Sequence, residues 1–584
     1  MQRFVQAAAI AEVEAAGRLP VQVDGHAVVL FADRGRIRAV DNRCPHMGFP
    51  LHRGTLQDGI LTCHWHHARF DLASGGTFDL WADDVRTFPV QVRDGEVWID
   101  IAAQEDVRAH QRQRLRDGLE RELTQVIAKA AITLLAAGEA PAVPFRIGLE
   151  FGTRHRQAGW GQGLTIHTCM MNLLRHLDAE DHPRALYQGL AAVARDSAGS
   201  PARFDVRPLP AAGADVPTLA RWFRRFVEVR DAEGAERCLV SALHAGAKAG
   251  EVAAMMLAAA TDHRYLDGGH LLDFTNKAYE ALDTAGWAHA ETVLTSLASG
   301  FAEAERMEES NAWRNPIDLV EIVEGAAAEI PAALDAGRAW RGAFDGRADL
   351  IPVLLGEDPQ AVAGGLLDAL RRGCTEADLA GIVAYAAARR IAHFHTSNEF
   401  TDWDTALHTF TFANAMQQML RRAPSADGLR GVFDAAMSVY LDRFLNVPPA
   451  PLPAIAFDGR ARPDDGAARP EALRQALGAL LDRQQQVGEM GTSVARYLAG
   501  GGDPAGLRTA LGALLLREDR NFHTIQCLEA AFRQSELHAG TTEAAHILIA
   551  AARYLAAHAP TMRAQEQTYT IALRLHRGEK LYEE

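Results

Sequence analysis

The chain is 584 residues long, 48% apolar and 23% charged, with a formal net charge of −15. This length allows several domains around a large core, and the acidic balance excludes a nucleic-acid binder, which rests on clustered lysine and arginine. No window of about 18 continuous apolar residues occurs, so no membrane span is expected.

The N-terminal stretch lacks a signal-peptide layout, and six cysteines are too few for a disulfide framework in so long a chain. A reducing, cytoplasmic home is the expectation. Only four of the 60 basic residues are lysines (Lys129, Lys248, Lys277 and Lys580), a bias read as codon usage with no chemistry drawn from it.

Residues 1–103 read as β structure. "VQVDGHAVVLFADRGRIRAVD" has short apolar runs broken by Asp-Gly and Arg-Gly, a hairpin signal, and "VQVRDGEVWIDI" repeats it. From about Gln104 the texture becomes rich in alanine, leucine and arginine with helical periodicity, and it holds nearly to the end. The expected fold is therefore multidomain, a small all-β domain (1–103) followed by a large all-α domain (104–584). The Pro-rich segment 446–470 is expected to be a linker or a strap.

Between the first strands and the helical body lies "CPHMGFPLHRGTLQDGILTCHWHHARF". Cys44 and His46 form Cys-x-His, Cys63 and His66 form Cys-x-x-His, and sixteen residues lie between the pairs. Two thiolates and two imidazoles suit zinc or an iron–sulfur centre on softness alone. A Gly/Pro-rich β frame of this size favours a [2Fe–2S] cluster with both cysteines on one iron and both histidines on the other.

"CPHMGFPLHRG" and "CHWHHARFDLASG" resemble the two ligand loops of Rieske ferredoxins and of the Rieske domains of ring-hydroxylating oxygenases. The resemblance covers about 100 residues and implies Cys44, His46, Cys63 and His66 as cluster ligands, leaving His52, His64 and His67 outside the set. It implies one-electron transfer at a potential of about −150 to +300 mV. The loops lack the additional cysteine pair of respiratory Rieske proteins, which places the domain with the lower-potential ferredoxin type.

The α/β iron domain of ring-hydroxylating oxygenases does not follow. The helical region instead carries four similar segments: "LTIHTCMMNLLRHL", "DGGHLLDFTNKAYEAL", "TALHTFTFANAMQQML" and "RNFHTIQCLEAAFR". In each, a histidine precedes an Asn or Glu by five or six residues: Asn172, Asn276, Asn414 and Glu529. Recurrence in a helical chain predicts units facing a common centre, with His167, His270, His408 and His523 converging on one metal. Imidazoles suit iron, copper or zinc, and the plain alternative is histidines buried against backbone carbonyls. "GHLLDFTNKAYE" and "LHTFTFANAMQQML" also resemble questin oxidase-like proteins, which implies a helical fold, oxidative ring cleavage and histidine-ligated non-haem iron.

His393 and His395 are a candidate ligand pair, although a spacing of two points them apart on a helix. His263 and Lys277 are candidates to join a site, with a solvated helix face as the main reading, and Asp402 and Asp404 are read as caps with a carboxylate ligand as the lesser alternative for either. No nicotinamide or flavin fingerprint is present, so electrons are expected from a separate NAD(P)H-dependent reductase or ferredoxin. The expected function is a Rieske-containing non-haem iron oxygenase. Its [2Fe–2S] cluster feeds a mononuclear iron that activates O2 against an organic, aromatic or quinone-like small molecule. The alternatives are a non-catalytic electron-transfer protein with a helical docking domain, and a metal-dependent hydrolase or lyase with a redox-sensing Rieske domain. Oligomeric state is left open.

Overall fold

The computed structural model describes residues 3–102, 107–156, 158–210, 214–453, 470–579 and 581. Among these, strands are confined to the first hundred residues and the rest is helical, so the expected fold class holds. The chain divides into two compact units, Met1–Ile147 with Ala564–Glu584, and Gly148–Arg563.

The division differs from the expected boundary at 103/104, because two helices after the β domain and the last helix of the chain belong to the first unit. Arg114 of α1 (Val107–Glu120) donates to Asp83 at 2.7 Å and to the Ala82 carbonyl at 3.0 Å. Helix α2 (Thr124–Ala136) reaches the first cysteine loop, and the C-terminal helix Ala564–His576 packs along α2. Side-chain anchors of this kind are invisible to a boundary drawn from composition. Of the expected strap 446–470, residues 454–469 lie outside the described residues. Its first part is tied down by His393, whose carbonyl accepts from Asn446 Nδ2 at 2.8 Å and from the Ala450 N–H at 2.7 Å.

The β domain has ten antiparallel strands in three sheets, ordered β1-β10-β9, β2-β3-β4-β8 and β5-β6-β7. They run Phe4–Ala9, Arg18–Val23, His26–Asp33, Arg36–Asp41, Thr55–Gln57, Ile60–Thr62, Arg69–Asp71, Thr87–Phe88, Val90–Arg93 and Glu96–Asp100. Four two-residue hairpins join β2/β3, β3/β4, β5/β6 and β9/β10 at Asp24-Gly25, Arg34-Gly35, Asp58-Gly59 and Asp94-Gly95. All eight of these residues have positive φ, the backbone of the tight turn that matches strand twist. One departure from the β expectation is a short helix, Ile10–Ala16, which ends on left-handed Gly17.

Strand β3 reads as a continuous apolar run because it is buried on both faces. Val29 and Phe31 join Cys44, Leu51, Leu61, Cys63 and Phe70 in one core. Val28 and Leu30 join Val13, Phe88, Val97 and Ile99 in the other. The period-two alternation of a strand thus sends one side chain in two toward the cysteine loops.

In the second unit four helices form a ring in which each packs on the next. They are α3 (Gln162–Leu173), α4 (His270–Ala285), α5 (Phe400–Arg422) and α6 (Phe522–Leu537). Their shared interior is polar. On α4 the residues His270, Asp273, Lys277 and Glu280 recur at helical spacing, and on α6 His523, Gln526, Glu529 and Arg533 do the same. Helix α5 starts from a capping box in which Asp402 accepts from the Glu399 N–H at 3.1 Å, so Asp402 is a cap as expected. Helix α7 (Thr542–Ala557) packs beside α6, and the C-terminal helix Ala564–His576 is α8.

Candidate metal centres

The two cysteine loops share one local design. The Cys44 N–H donates to the Phe49 carbonyl at 2.8 Å and the Cys44 carbonyl accepts from Gly48 at 2.7 Å. The Cys63 N–H donates to the Ala68 carbonyl at 2.8 Å and the Cys63 carbonyl accepts from His67 at 3.0 Å. Gly48 and His67 occupy the equivalent position with φ of 78° and 63°. His67 therefore stands where the first loop uses glycine, and its role is backbone shape. His52 meets Asn42, bonding through its N–H at 2.9 Å and its ring Nδ1, and His64 meets the Thr55 hydroxyl. All three remain outside the proposed ligand set.

Cys44 and Cys63 are free thiols, 2% and 1% exposed, and share a hydrogen bond. That contact draws Cys63 down to about 6 and, with burial, pushes Cys44 far up. The His46 and His66 rings lie 4.8 Å apart, nearly perpendicular, with Trp81 4.7 Å from His46 and Trp65 stacked 4.7 Å from His66. Burial, His66 and Lys129 push His46 down to about 4, leaving a neutral imidazole. Its Nδ1 is buried without a hydrogen-bond partner among the described residues. Two buried thiols beside two imidazoles, one with an unused ring nitrogen, fit a [2Fe–2S] cluster with its cysteines inward and its histidines toward the surface.

The second unit brings together three of the four predicted histidines. His270, His408 and His523 each offer a ligand atom within 4.8 Å of the others. His408 Nε2 and His523 Nε2 are 2.9 Å apart, and the His270 and His408 rings are 4.4 Å apart. Burial and the neighbouring rings push His270 down to about 4 and His408 to about 3, so both imidazoles are neutral and free to ligate.

Asp404 lies behind this cluster. Its Oδ2 is 3.2 Å from His523 Nδ1, its Oδ1 accepts from Tyr554 Oη at 2.5 Å, and His558 Nε2 is 3.5 Å away. Burial pushes its carboxyl up, but bonds from His523, His558 and Tyr554 overcome this and hold it well below the usual range. The lesser reading of Asp404 as a ligand is not what the geometry favours. The carboxylate holds the Nδ1 proton of His523 and turns Nε2 toward His408. Asp404→Asn is expected to weaken metal binding about 10–100-fold, measured by chelator competition.

His167 does not join. It is fully buried and faces the neighbouring helices Ala142–His155 and His182–Ser197. There its Nε2 lies 2.6 Å from where a Cβ on Gly148 would sit, and its Nδ1 2.8 Å from that point on Gly189. Helix α3 instead sends Asn172 inward, to Glu280 at 2.7 Å and Glu529 at 3.0 Å. Six residues separate histidine from Asn or Glu on α4, α5 and α6, but five on α3. One residue is about 100° of helix rotation, enough to turn His167 away.

Deeper in the ring, Gln526 donates to Asp273, whose other oxygen has no hydrogen-bond partner among the described residues. Burial raises this carboxyl to about 7. The next layer is an ionic cage. Lys277 bonds Glu280 at 2.9 Å and Glu529, while Arg533 bonds Glu280 at 2.9 Å and Glu529 at 3.0 Å. Lys277, expected first on a solvated face, is 1% exposed. His263 pairs with Glu308 at 2.6 Å and Glu228 at 2.9 Å, His393 with the Ala450 carbonyl at 2.8 Å, and His395 with Ser397 at 2.9 Å. These three serve structure.

Fold and loops together define an electron-transfer domain of the Cys2His2 iron–sulfur class. A family model described as the Rieske [2Fe-2S] domain matches residues 3–89. The 3-phenylpropionate/cinnamic acid dioxygenase ferredoxin subunit of Photorhabdus laumondii is 35% identical over 80 residues, 13% of this chain and 76% of that protein. The ferredoxin component of the p-cumate 2,3-dioxygenase system of Pseudomonas putida is 31% identical over 81 residues, 14% of this chain and 69% of that protein. Human apoptosis-inducing factor 3 is 33% identical over 78 residues, 13% of each chain. Through its N-terminal domain the chain belongs to the Rieske [2Fe–2S] family. It spans less than a third of several relatives it matches.

Proposed function

We propose that the protein is a Rieske-fed non-haem iron oxygenase, with Cys44, His46, Cys63 and His66 holding the cluster and His270, His408 and His523 holding a mononuclear iron. The observation that carries this reading is the meeting of three imidazoles from three helices, two of them neutral and the third backed by Asp404. Three protein ligands leave coordination positions for other molecules. The redox domain on the same chain favours iron over zinc, and the resemblance to questin oxidase-like proteins supports an oxidative role.

Iron held there would supply O2 activation with electrons passed on by the cluster. The chain's own residues set the stage. Asp404 fixes the tautomer and direction of His523. Phe274 and Phe522, with rings 5.5 and 5.6 Å from His270, give an apolar wall suited to a flat aromatic or quinone-like molecule. Asp273, one turn along α4 from His270, holds a proton on its carboxyl near neutral pH. The proposed partners are an external NAD(P)H-dependent reductase or ferredoxin, O2 and a small organic substrate. No described helix is long and apolar enough to cross a membrane, and the six unpaired cysteines suit a reducing, cytoplasmic home.

The test is the ratio of iron to acid-labile sulfide after anaerobic, iron-replete purification. Three irons to two sulfides per chain is the expected result. Two to two, with no other metal bound, would leave a non-catalytic electron-transfer protein.

A further inference from the structure

The first ligand loop is held from outside the β domain. Gln125 of α2 donates from Nε2 to the His46 carbonyl at 2.7 Å and lies 3.6 Å from Met47 Sδ. One turn further along α2, the Lys129 ammonium donates to the Pro45 carbonyl. Pro45 and His46 directly follow Cys44, so consecutive carbonyls beside two cluster ligands turn toward one helix.

The charge at this point is uncompensated. Among the described residues no carboxylate lies within 4.0 Å of Lys129. Burial pushes the Lys129 ammonium down, the fields of Asp83 and Cys44 oppose this while Arg114 adds to it, and Asp83 is itself bound by Arg114 at 2.7 Å. A carbonyl accepts a hydrogen bond without cancelling the ammonium charge. Lysine is a compact point charge able to sit against a single carbonyl, whereas the broad planar fork of arginine suits carboxylates.

We propose that Lys129 is a fixed cation that raises the reduction potential of the [2Fe–2S] cluster. Reduction by one electron from an external donor adds one negative charge to the cluster and changes no covalent bond in the protein. A positive charge one residue from Cys44 and from His46 stabilises the reduced form more than the oxidised one, and net charge and hydrogen bonding are the levers that set such potentials. Lys129 touches neither substrate nor metal, and acts through the loop. Gln125 presents a neutral donor to the same loop and holds its shape. The inference rests on the Rieske domain alone and stands whether or not the three-histidine site binds iron.

The experiment is an anaerobic redox titration of the full chain, following the cluster by its EPR and visible circular dichroism. Lys129→Gln keeps a donor for the Pro45 carbonyl and removes the charge. It should disfavour cluster reduction about tenfold, a fall of about 59 mV for a one-electron couple. Lys129→Arg keeps the charge and should stay within about twofold of the unaltered protein, and Gln125→Leu should shift the equilibrium less than Lys129→Gln. If Lys129→Gln does not retain its cluster, Lys129→Met replaces it with the same expected shift. An unchanged potential in the neutral variant overturns the proposal. So does a shift in Lys129→Arg as large as in Lys129→Gln, because that pattern reports packing rather than charge.

Discussion

On the proposed function, replacing His408 with alanine is expected to remove the proposed mononuclear iron and abolish turnover while leaving the Rieske spectrum unchanged. His408 Nε2 faces His523 Nε2 at 2.9 Å, and its ring is 4.4 Å from His270. Without it two imidazoles remain, too few to define a three-ligand site. The loss should exceed the 10–100-fold weakening expected when a residue behind a ligand is changed. Bound iron should fall from three to two per chain, with acid-labile sulfide constant at two. The proposed cluster ligands belong to the other compact unit, so EPR of the reduced cluster is the internal control. Full activity, or unaltered iron content, would show that these three histidines are not the centre.

The second large effect falls on stability. Lys277→Met should lower the unfolding free energy of the helical unit by about 3–5 kcal/mol, the usual cost of stranding buried charge. Burial alone would push the Lys277 ammonium down, and Glu280 and Glu529 more than reverse that. With lysine gone, two buried carboxylates share only Arg533, Asn172 and Asn276. Denaturant titration followed by far-ultraviolet circular dichroism reads the change. Adding Glu529→Gln should recover part of the loss, because it removes the stranded charge and the two positions are directly coupled. A single variant as stable as the starting protein would mean that solvent or a protonated glutamate already compensates the cage.

Much of the cluster domain is legible in its sequence because its physics is local. Asp-Gly and Arg-Gly dictate hairpins through residues that accept positive φ, and two short Cys/His spacings place the four proposed ligands in adjacent loops. What local pattern did not reveal was the support from afar: the reach of Lys129 and Gln125 to Pro45 and His46 joins residues about eighty positions apart. In the helical unit, three of the four histidines were readable from their matching segments. His167 stands apart because its spacing to Asn172 is one residue short of the others, a difference visible in the sequence and decisive once converted into helix rotation. Lys277 departs from expectation for another reason. A charged residue on a helix normally faces water, and only the partners on α6 and α3 reveal a polar interior.

The first unit is discontinuous in sequence, and its last component is α8. Leu575 of that helix lies against Gly48, its Cδ2 3.0 Å from where a Cβ there would be, and His576 reaches Thr133 of α2 at 3.3 Å. During translation the cysteine loops leave the ribosome first, but the helix that backs them emerges only after the whole of Gly148–Arg563 has been made. At about 5–20 residues per second, the nascent loops wait on the order of tens of seconds without their final cover. The shell around the cysteine loops thus becomes complete only once α8 has been made.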